Sequence, residues 1–422
     1  MNSRAAAASA DEWAVRGHAS RWNVILHPSM SRAAPATSAK TASGQGGIEA
    51  QFRRSSSGTM TGLAALARLF SDPDSFDHML FATRTRRTVI NLALQGGGAH
   101  GAFTWGVLDR LLEDGRLDFE GLSGSSAGAM NAVMLAEGLR RGGRDGAREL
   151  LSTFWTRIAA SVPIGFAVPM DDGSGVALAP TARLMLHWAQ FVSPYQFNPL
   201  NLNPLRDLLA DLVDFKCLRR TKTPRLFVAA TRAETGGLRL FRNHELDVPP
   251  LLASACLPNL QHAVEIDGDA YWDGAFAANP AIFPLFYECA SRDTLLVLLS
   301  PSKLGPAPRT VQGIRERTME LAFTAPLMRE LHMFSRARAF AAASLWRFGR
   351  LDRRIMQSRF HLIDAHASMG EFAAETKLAP HMSFLVRLYE LGVEQAQTWL
   401  ALHGGKIGKQ SSLDLSALLE RS

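Results

Sequence analysis

Cysteine is scarce in this chain, and the three present, Cys217, Cys256 and Cys289, are odd in number and show no CxxC spacing. That excludes a disulfide framework and a paired-cysteine zinc site, and it points to a reducing compartment. Long apolar runs are lacking as well. No uninterrupted segment approaches the roughly 20 residues needed to cross a bilayer, and no apolar stretch follows the early arginines as a secretory signal would. The expectation is a cytoplasmic protein whose contact with membranes is at most peripheral. Fixed repeats and heptads are missing too, which excludes a solenoid and a coiled coil.

What is there is a globular composition: 422 residues, 47% hydrophobic, with a formal charge of +7. An excess of that size fits an anionic surface such as phospholipid, and it fits plain solubility equally well. Residues 1–88 read as a leader, rich in Ala, Ser, Arg and Gly, with one short helix from Leu63 to Phe70. Its Arg and Ser content suits targeting, whereas Asp11, Glu12 and Glu49 speak for a dispensable tail. Residues 89–302 carry the alternation of strands and helices. Residues 303–422 are mainly helical and form an extension packed on or capping the core.

The body opens at Val89-Ile90-Asn91-Leu92-Ala93-Leu94, a strand that stops in Gly96-Gly97-Gly98 and restarts as a helix through Ala102, Trp105, Leu108 and Leu112. Adjacent glycines let several backbone N–H groups and a helix N-terminus converge on one anion. Two chemistries use that device. Gly96, Gly98 and Gly101 satisfy the dinucleotide template, and Asp118 lies near where a ribose-binding acid is expected. The same loop could instead stabilise an oxyanion.

The next strand, Leu117 to Ser123, runs into Gly124-Ser125-Ser126-Ala127-Gly128 and then a buried helix from Ala129 to Ala136. The flanking glycines let strand and helix cross closely, lifting the Ser126 hydroxyl out of the turn at the positive end of a helix. A dinucleotide fold leaves this elbow unexplained, whereas an oxyanion hole beside a nucleophile explains both motifs. Downstream, Asn203-Pro204 starts a helix, and Arg225–Thr231 and Leu238–Phe241 read as paired strands. The region Pro163–Pro180 reads as a loop. Pro249–Cys256 is a short helix, and Asp267-Gly268 marks a type I′ hairpin whose second arm ends in Asp273-Gly274-Ala275. Thr294–Leu299 is a buried strand, and His361-Leu362-Ile363 adds another.

A serine nucleophile needs a base. His361, His366 and His381 follow in the usual order, yet none sits in a recognisable loop motif. Asp273 follows a strand, precedes a glycine and lies amid Tyr271, Trp272 and Phe276, where loss of solvent would raise its basicity. A carboxylate so placed could take the serine proton directly; an ordinary Asp-Gly turn is the alternative.

The glycine loop Gly96-Gly97-Gly98-Ala99-His100-Gly101, the elbow Gly124-Ser125-Ser126-Ala127-Gly128 and the tripeptide Asp273-Gly274-Ala275, in this order and spacing, resemble the three signatures of patatin-like phospholipases. Ala253-Ser254-Ala255-Cys256-Leu257-Pro258 resembles the family too, and the likeness covers about 89–300. It implies a three-layer α/β/α fold with a mostly parallel central sheet and a helical C-terminal extension. It also implies a Ser126–Asp273 dyad without histidine, an oxyanion hole from Gly96, Gly97, Gly98, Ala99 and Gly101, and hydrolysis of carboxyl esters of acyl lipids without metal or cofactor. The partners then expected are an acyl lipid and an anionic membrane surface, not nucleic acid. Ala275 stands where many members have Gly.

The charge is concentrated between Arg309 and Arg354, which hold ten arginines against four acids. Leu327, Leu331, Phe334, Ala341, Leu345 and Phe348 share one helical face, with Arg329, Arg336 and Arg347 opposite. Such a helix could lie on a membrane, but most amphipathic helices pack on a core, and that reading is favoured.

Overall fold

Strand β1, Thr88–Leu94, is apolar on consecutive residues because both of its faces are covered. In the computed structural model, which describes residues 87–161, 166–169, 176–188, 191–300, 305–343, 349–365, 369, 372 and 374–421, it lies near the middle of an eight-stranded sheet. The remaining strands are β2 (Leu117–Ser125), β3 (Ala167–Pro169), β4 (Val176–Leu178), β5 (Arg225–Arg232), β6 (Leu238–Arg242), β7 (Val264–Ile266), β8 (Asp269–Asp273), β9 (Asp293–Leu298) and β10 (Arg359–Asp364). The helices are α1 (Gly101–Asp114), α2 (Ala127–Ala160, broken at Gly142 and Gly143), α3 (Pro180–Trp188), α4 (Pro194–Phe197), α5 (Pro204–Leu212), α6 (Phe215–Leu218), α7 (Val248–Ser254), α8 (Phe283–Glu288), α9 (Val311–Ala343), α10 (Arg350–Gln357), α11 (Met382–His403) and α12 (Leu415–Arg421).

Strands β10, β9, β1, β2 and β5 run parallel in that spatial order, while β6, β8 and β7 are antiparallel additions. Alternation along each strand sorts side chains into two cores. Leu92, Leu94, Leu226, Val228, Leu295 and Val297 face a larger core shared with α1, α2 and α11. Ala93, Phe227, Leu296 and Leu298 face a smaller one closed by α8, α9 and α12. The result is a three-layer α/β/α arrangement with a mostly parallel sheet. His361-Leu362-Ile363 is indeed strand, pairing β10 to β9. The Asp267-Gly268 hairpin has both central residues at positive φ, 53 and 87, as a type I′ turn requires.

One local expectation changes, and one is met. Within Pro163–Pro180, expected as loop, Ala167–Pro169 pairs antiparallel with Val176–Leu178. Strands of three residues are too short for a period to register. The apolar stripe of α9 is a core stripe: Leu327 and Leu331 are fully buried, Ala341 is buried and Phe334 packs edge-on against Phe286 and Phe360. Each such leucine contributes about 2 kcal/mol by burial, so this face is not offered to lipid. Leu345, Arg347 and Phe348, like most of the 1–88 leader and the helix expected at Leu63–Phe70, lie outside the described residues. No helix among the described residues is long and apolar enough to cross a membrane.

Candidate active site

Ser126 occupies the turn between β2 and α2 at φ 53 and ψ −126, one of three non-glycine residues at positive φ among those described. Holding a serine there costs on the order of 1–3 kcal/mol, so its surroundings must enforce it. They do so by close approach and by hydrogen bonding. A Cβ on Gly128 would lie 2.2 Å from the Leu94 carbonyl oxygen, so this crossing of helix and strand admits only glycine. The Ser126 N–H donates to both the carbonyl oxygen (3.1 Å) and the hydroxyl (3.0 Å) of Ser254, at the end of α7. Ser126 remains partly exposed, while Ser123 and Ser125 are buried and the Ser125 hydroxyl is committed to the Ala278 carbonyl.

Strand register brings Asp273 to this serine. On β5, Phe227–Ala229 pair with β2 on one edge and β6 on the other, and Ala230 pairs with both Arg239 and Asp273. Since β6 occupies one edge, β8 must continue along the edge that β2 vacates after Ser125. Ser125 opposite Ala229 and Asp273 opposite Ala230 are thus consecutive positions. The Asp273 carboxylate accepts a hydrogen bond, 2.8 Å long, from the Ala275 N–H, and the Ser126 hydroxyl is close enough to act on it as a second neutral donor. At 2% exposure its burial dominates, pushing its pKa up to about 7 against the opposing pull of those two neutral donors. Trp272, expected to help shield it, points to the opposite side of the strand and is exposed. The shielding comes instead from packing that includes Cys256, whose thiol is itself pushed up to about 12, first by burial and then by the Asp273 charge. The Cys256 carbonyl also accepts the Asp273 N–H at 2.8 Å.

The glycine loop abuts the serine: a Cβ on Gly96 would come within 2.9 Å of the Ser126 Cβ. Its amides are not equivalent. The Gly96 N–H donates to Asn279 Oδ1 at 2.7 Å, and the Gly101 N–H is turned back onto the carbonyls of Gly98 and Ala99. Gly97 and Gly98 are the more accessible pair, and neither N–H donates to an atom of the described residues. Gly98 is fixed at φ +59, where an added Cβ would meet the Lys377 carbonyl oxygen at 2.2 Å. The turn Ala374–Leu378 covers this loop, with Thr376 Oγ1 2.7 Å from His100 Nε2. Burial and then Lys377 lower the His100 pKa to about 3, which keeps the ring neutral.

The histidines weighed as a base go elsewhere. His361 is buried in β10 between Asp293 (3.0 Å) and Ser412 (3.0 Å), and His381 caps α11 beside Ser383. His366 lies outside the described residues. Asp118, the acid of the dinucleotide alternative, pairs with Arg144 at 2.8 Å. Two participants escaped sequence reasoning: Asn279, which occupies the Gly96 amide and donates from Nδ2 to the Phe323 carbonyl at 3.3 Å, and the Ser254 hydroxyl. The only signal for Ser254 was its place in the Ala253–Pro258 segment.

Residues 92–286 match the family model described as patatin-like phospholipase. Among solved structures the chain is similar to the crystal structure of VipD from Legionella pneumophila. That match has a TM-score of 0.36 and 16% identity and covers 74% of this chain and 67% of that one. No curated protein matches. Residues 92–286 are thus a patatin-like phospholipase domain, of a family that acts on acyl lipids.

Proposed function

We propose that this protein is a serine hydrolase of acyl-lipid carboxyl esters, with Ser126 as nucleophile, Asp273 as proton acceptor and the Gly97 and Gly98 amides as oxyanion donors. The observation that carries it is a buried Asp273 carboxylate with no cation among the causes of its shift, set near the hydroxyl of a serine held in a strained elbow. A carboxylate of ordinary acidity is a poor base for a hydroxyl; one raised to about 7 is much better matched. As Ser126 Oγ adds to the ester carbonyl, its proton passes to Asp273 and the new oxyanion meets the glycine amides. Collapse expels the alcohol, which takes the proton back from Asp273. Water then attacks the acyl-serine, giving its proton to the same carboxylate, and Ser126 departs protonated as the fatty acid is released.

The N-terminus of α2 adds its positive dipole end behind Ser126. The reading is tested by labelling with a long-chain fluorophosphonate, followed by mass mapping of the adduct, alongside fatty-acid release from a phospholipid panel. An adduct on Ser126 that is lost in Ser126→Ala, with fatty acid released by the parent, is the expected result. An unlabelled Ser126 with no release from any lipid would sink the reading.

A further inference from the structure

The stretch from α3 to the start of α5 carries the densest set of solvent-exposed large apolar side chains among the described residues. Leu184, Trp188, Phe191, Tyr195, Leu200 and Leu202 all lie open to water, Phe191 at 66% and Leu200 at 78% exposure. Leaving so many apolar groups in water within one short stretch is costly, and such patches mark contact surfaces. The stretch is also free of acid, with no Asp or Glu between Asp172 and Asp207.

The stretch is tied to the candidate catalytic elements at two points. At its start, Arg183 pairs with Glu375 at 2.5 Å, in the turn whose Lys377 backbone lies on Gly98. Further along, the Tyr195 ring stacks on His262 at 4.1 Å, and the Pro194 carbonyl lies 3.1 Å from His262 Nε2. His262 in turn accepts the Cys256 thiol at its carbonyl, two residues beyond the Ser254 that holds the Ser126 amide. The patch therefore connects on one side to the oxyanion loop and on the other to the nucleophile elbow.

We propose that the exposed side chains of Leu184, Trp188, Phe191, Tyr195, Leu200 and Leu202 are the surface by which the protein docks on a phospholipid interface, laying Trp188, Phe191, Leu200 and Leu202 among the acyl chains. This rests on the acyl-lipid hydrolase reading, whose substrate resides in such an interface. Because Arg183 is already paired, docking is driven by apolar burial and not by charge.

The test compares Ser126→Ala protein with the same protein carrying Trp188→Ser, Phe191→Ser, Leu200→Ser and Leu202→Ser, by co-sedimentation with phosphatidylcholine vesicles at low and high salt. A second variant with only Leu200→Ser and Leu202→Ser serves if the first melts early. Binding should be insensitive to salt in the parent and fall about tenfold or more in the variants. With Ser126 restored, the variants should hydrolyse a soluble short-chain ester at the parent rate. Absence of parental vesicle binding, or undiminished binding by both variants, overturns the proposal. So does a parental dimer that the substitutions dissociate while vesicle binding persists, since a second copy would then be the occupant. Vesicle binding is read in catalytically silent protein, so a failure of hydrolysis and a failure of docking are seen separately.

Discussion

Among the described residues, two aspartates are buried at strand ends, and their surroundings push them in opposite directions. Asp273, ending β8, meets only a neutral amide and a hydroxyl, so burial raises its pKa to about 7. Asp293, opening β9, is also desolvated, but hydrogen bonds from His361 and Arg359, with the Gly408 amide, outweigh burial and hold it well below the usual carboxylate range. Burial alone therefore does not make a base. An aspartate that has its cation is structural, and one denied any cation keeps an appetite for protons. His361 already has its carboxylate, and that carboxylate is Asp293, not Asp273.

The largest effect expected is on turnover. Ser126→Ala and Asp273→Asn should each lower kcat on a soluble ester by about a thousandfold or more, while His361→Ala stays within about threefold. A folded His361→Ala protein as inactive as Ser126→Ala would erase the distinction between the two aspartates. Gly98→Ala should lower kcat by about a hundredfold with little change in KM, because the lost oxyanion contact belongs to the transition state. A rise in KM alone would reassign the loop to substrate binding.

Stability separates the pair as well. Since folding raises the Asp273 pKa above its ordinary 3.8, its ionisation costs stability progressively from about pH 4 to about 7 and fully above that. Asp273→Asn should therefore be more stable than the parent at pH 8, by about 2–4 kcal/mol in denaturant titration, and much closer to it at pH 4. Equal stabilities at pH 8 would mean that Asp273 is not the strained carboxylate.

Asp293 has the opposite sign: its depressed pKa contributes stability above the unfolded value and loses it as pH falls toward the folded one. His361→Ala should cost about 2 kcal/mol near neutrality, with the deficit shrinking in acid. A deficit that grows on acidification contradicts that assignment. The smallest effect is the parent's pH profile, in which kcat/KM should fall about tenfold per unit below pH 7, as the essential base is protonated. A profile flat down to pH 5 would remove Asp273 as the base.

Much of this was legible in sequence where local physics decides the outcome. The consecutive apolar residues of β1 and β9 announce strands covered on both faces, and the glycines flanking Ser126 announce an elbow. The Asp-Gly pair at 267 and 268 likewise dictates its turn. What was illegible depends on partners far along the chain. Nothing near Asn279 says that its side chain will occupy the Gly96 amide 183 residues earlier. Periodicity showed that α9 has an apolar face but not what covers it, and the cover is Phe360, Phe286 and the sheet. Alternation along β8 could have shown that Trp272 turns away from Asp273; proximity in sequence suggested the reverse.

The pairing of β1 between β2 and β9 sets a limit on how this protein can be divided. The family match stops at residue 286, yet β9 lies against Asn91–Leu94 and β10 lies beyond it. A chain cut after the match would present the middle of its own sheet as an open apolar edge, the form of surface that recruits other strands into aggregates. It would also release Gln95, whose Oε1 accepts the Leu299 and Ser300 amides, from one residue before the glycine loop. The unit that folds with its sheet complete is expected to extend through β10 and α11, well past the boundary that family likeness draws.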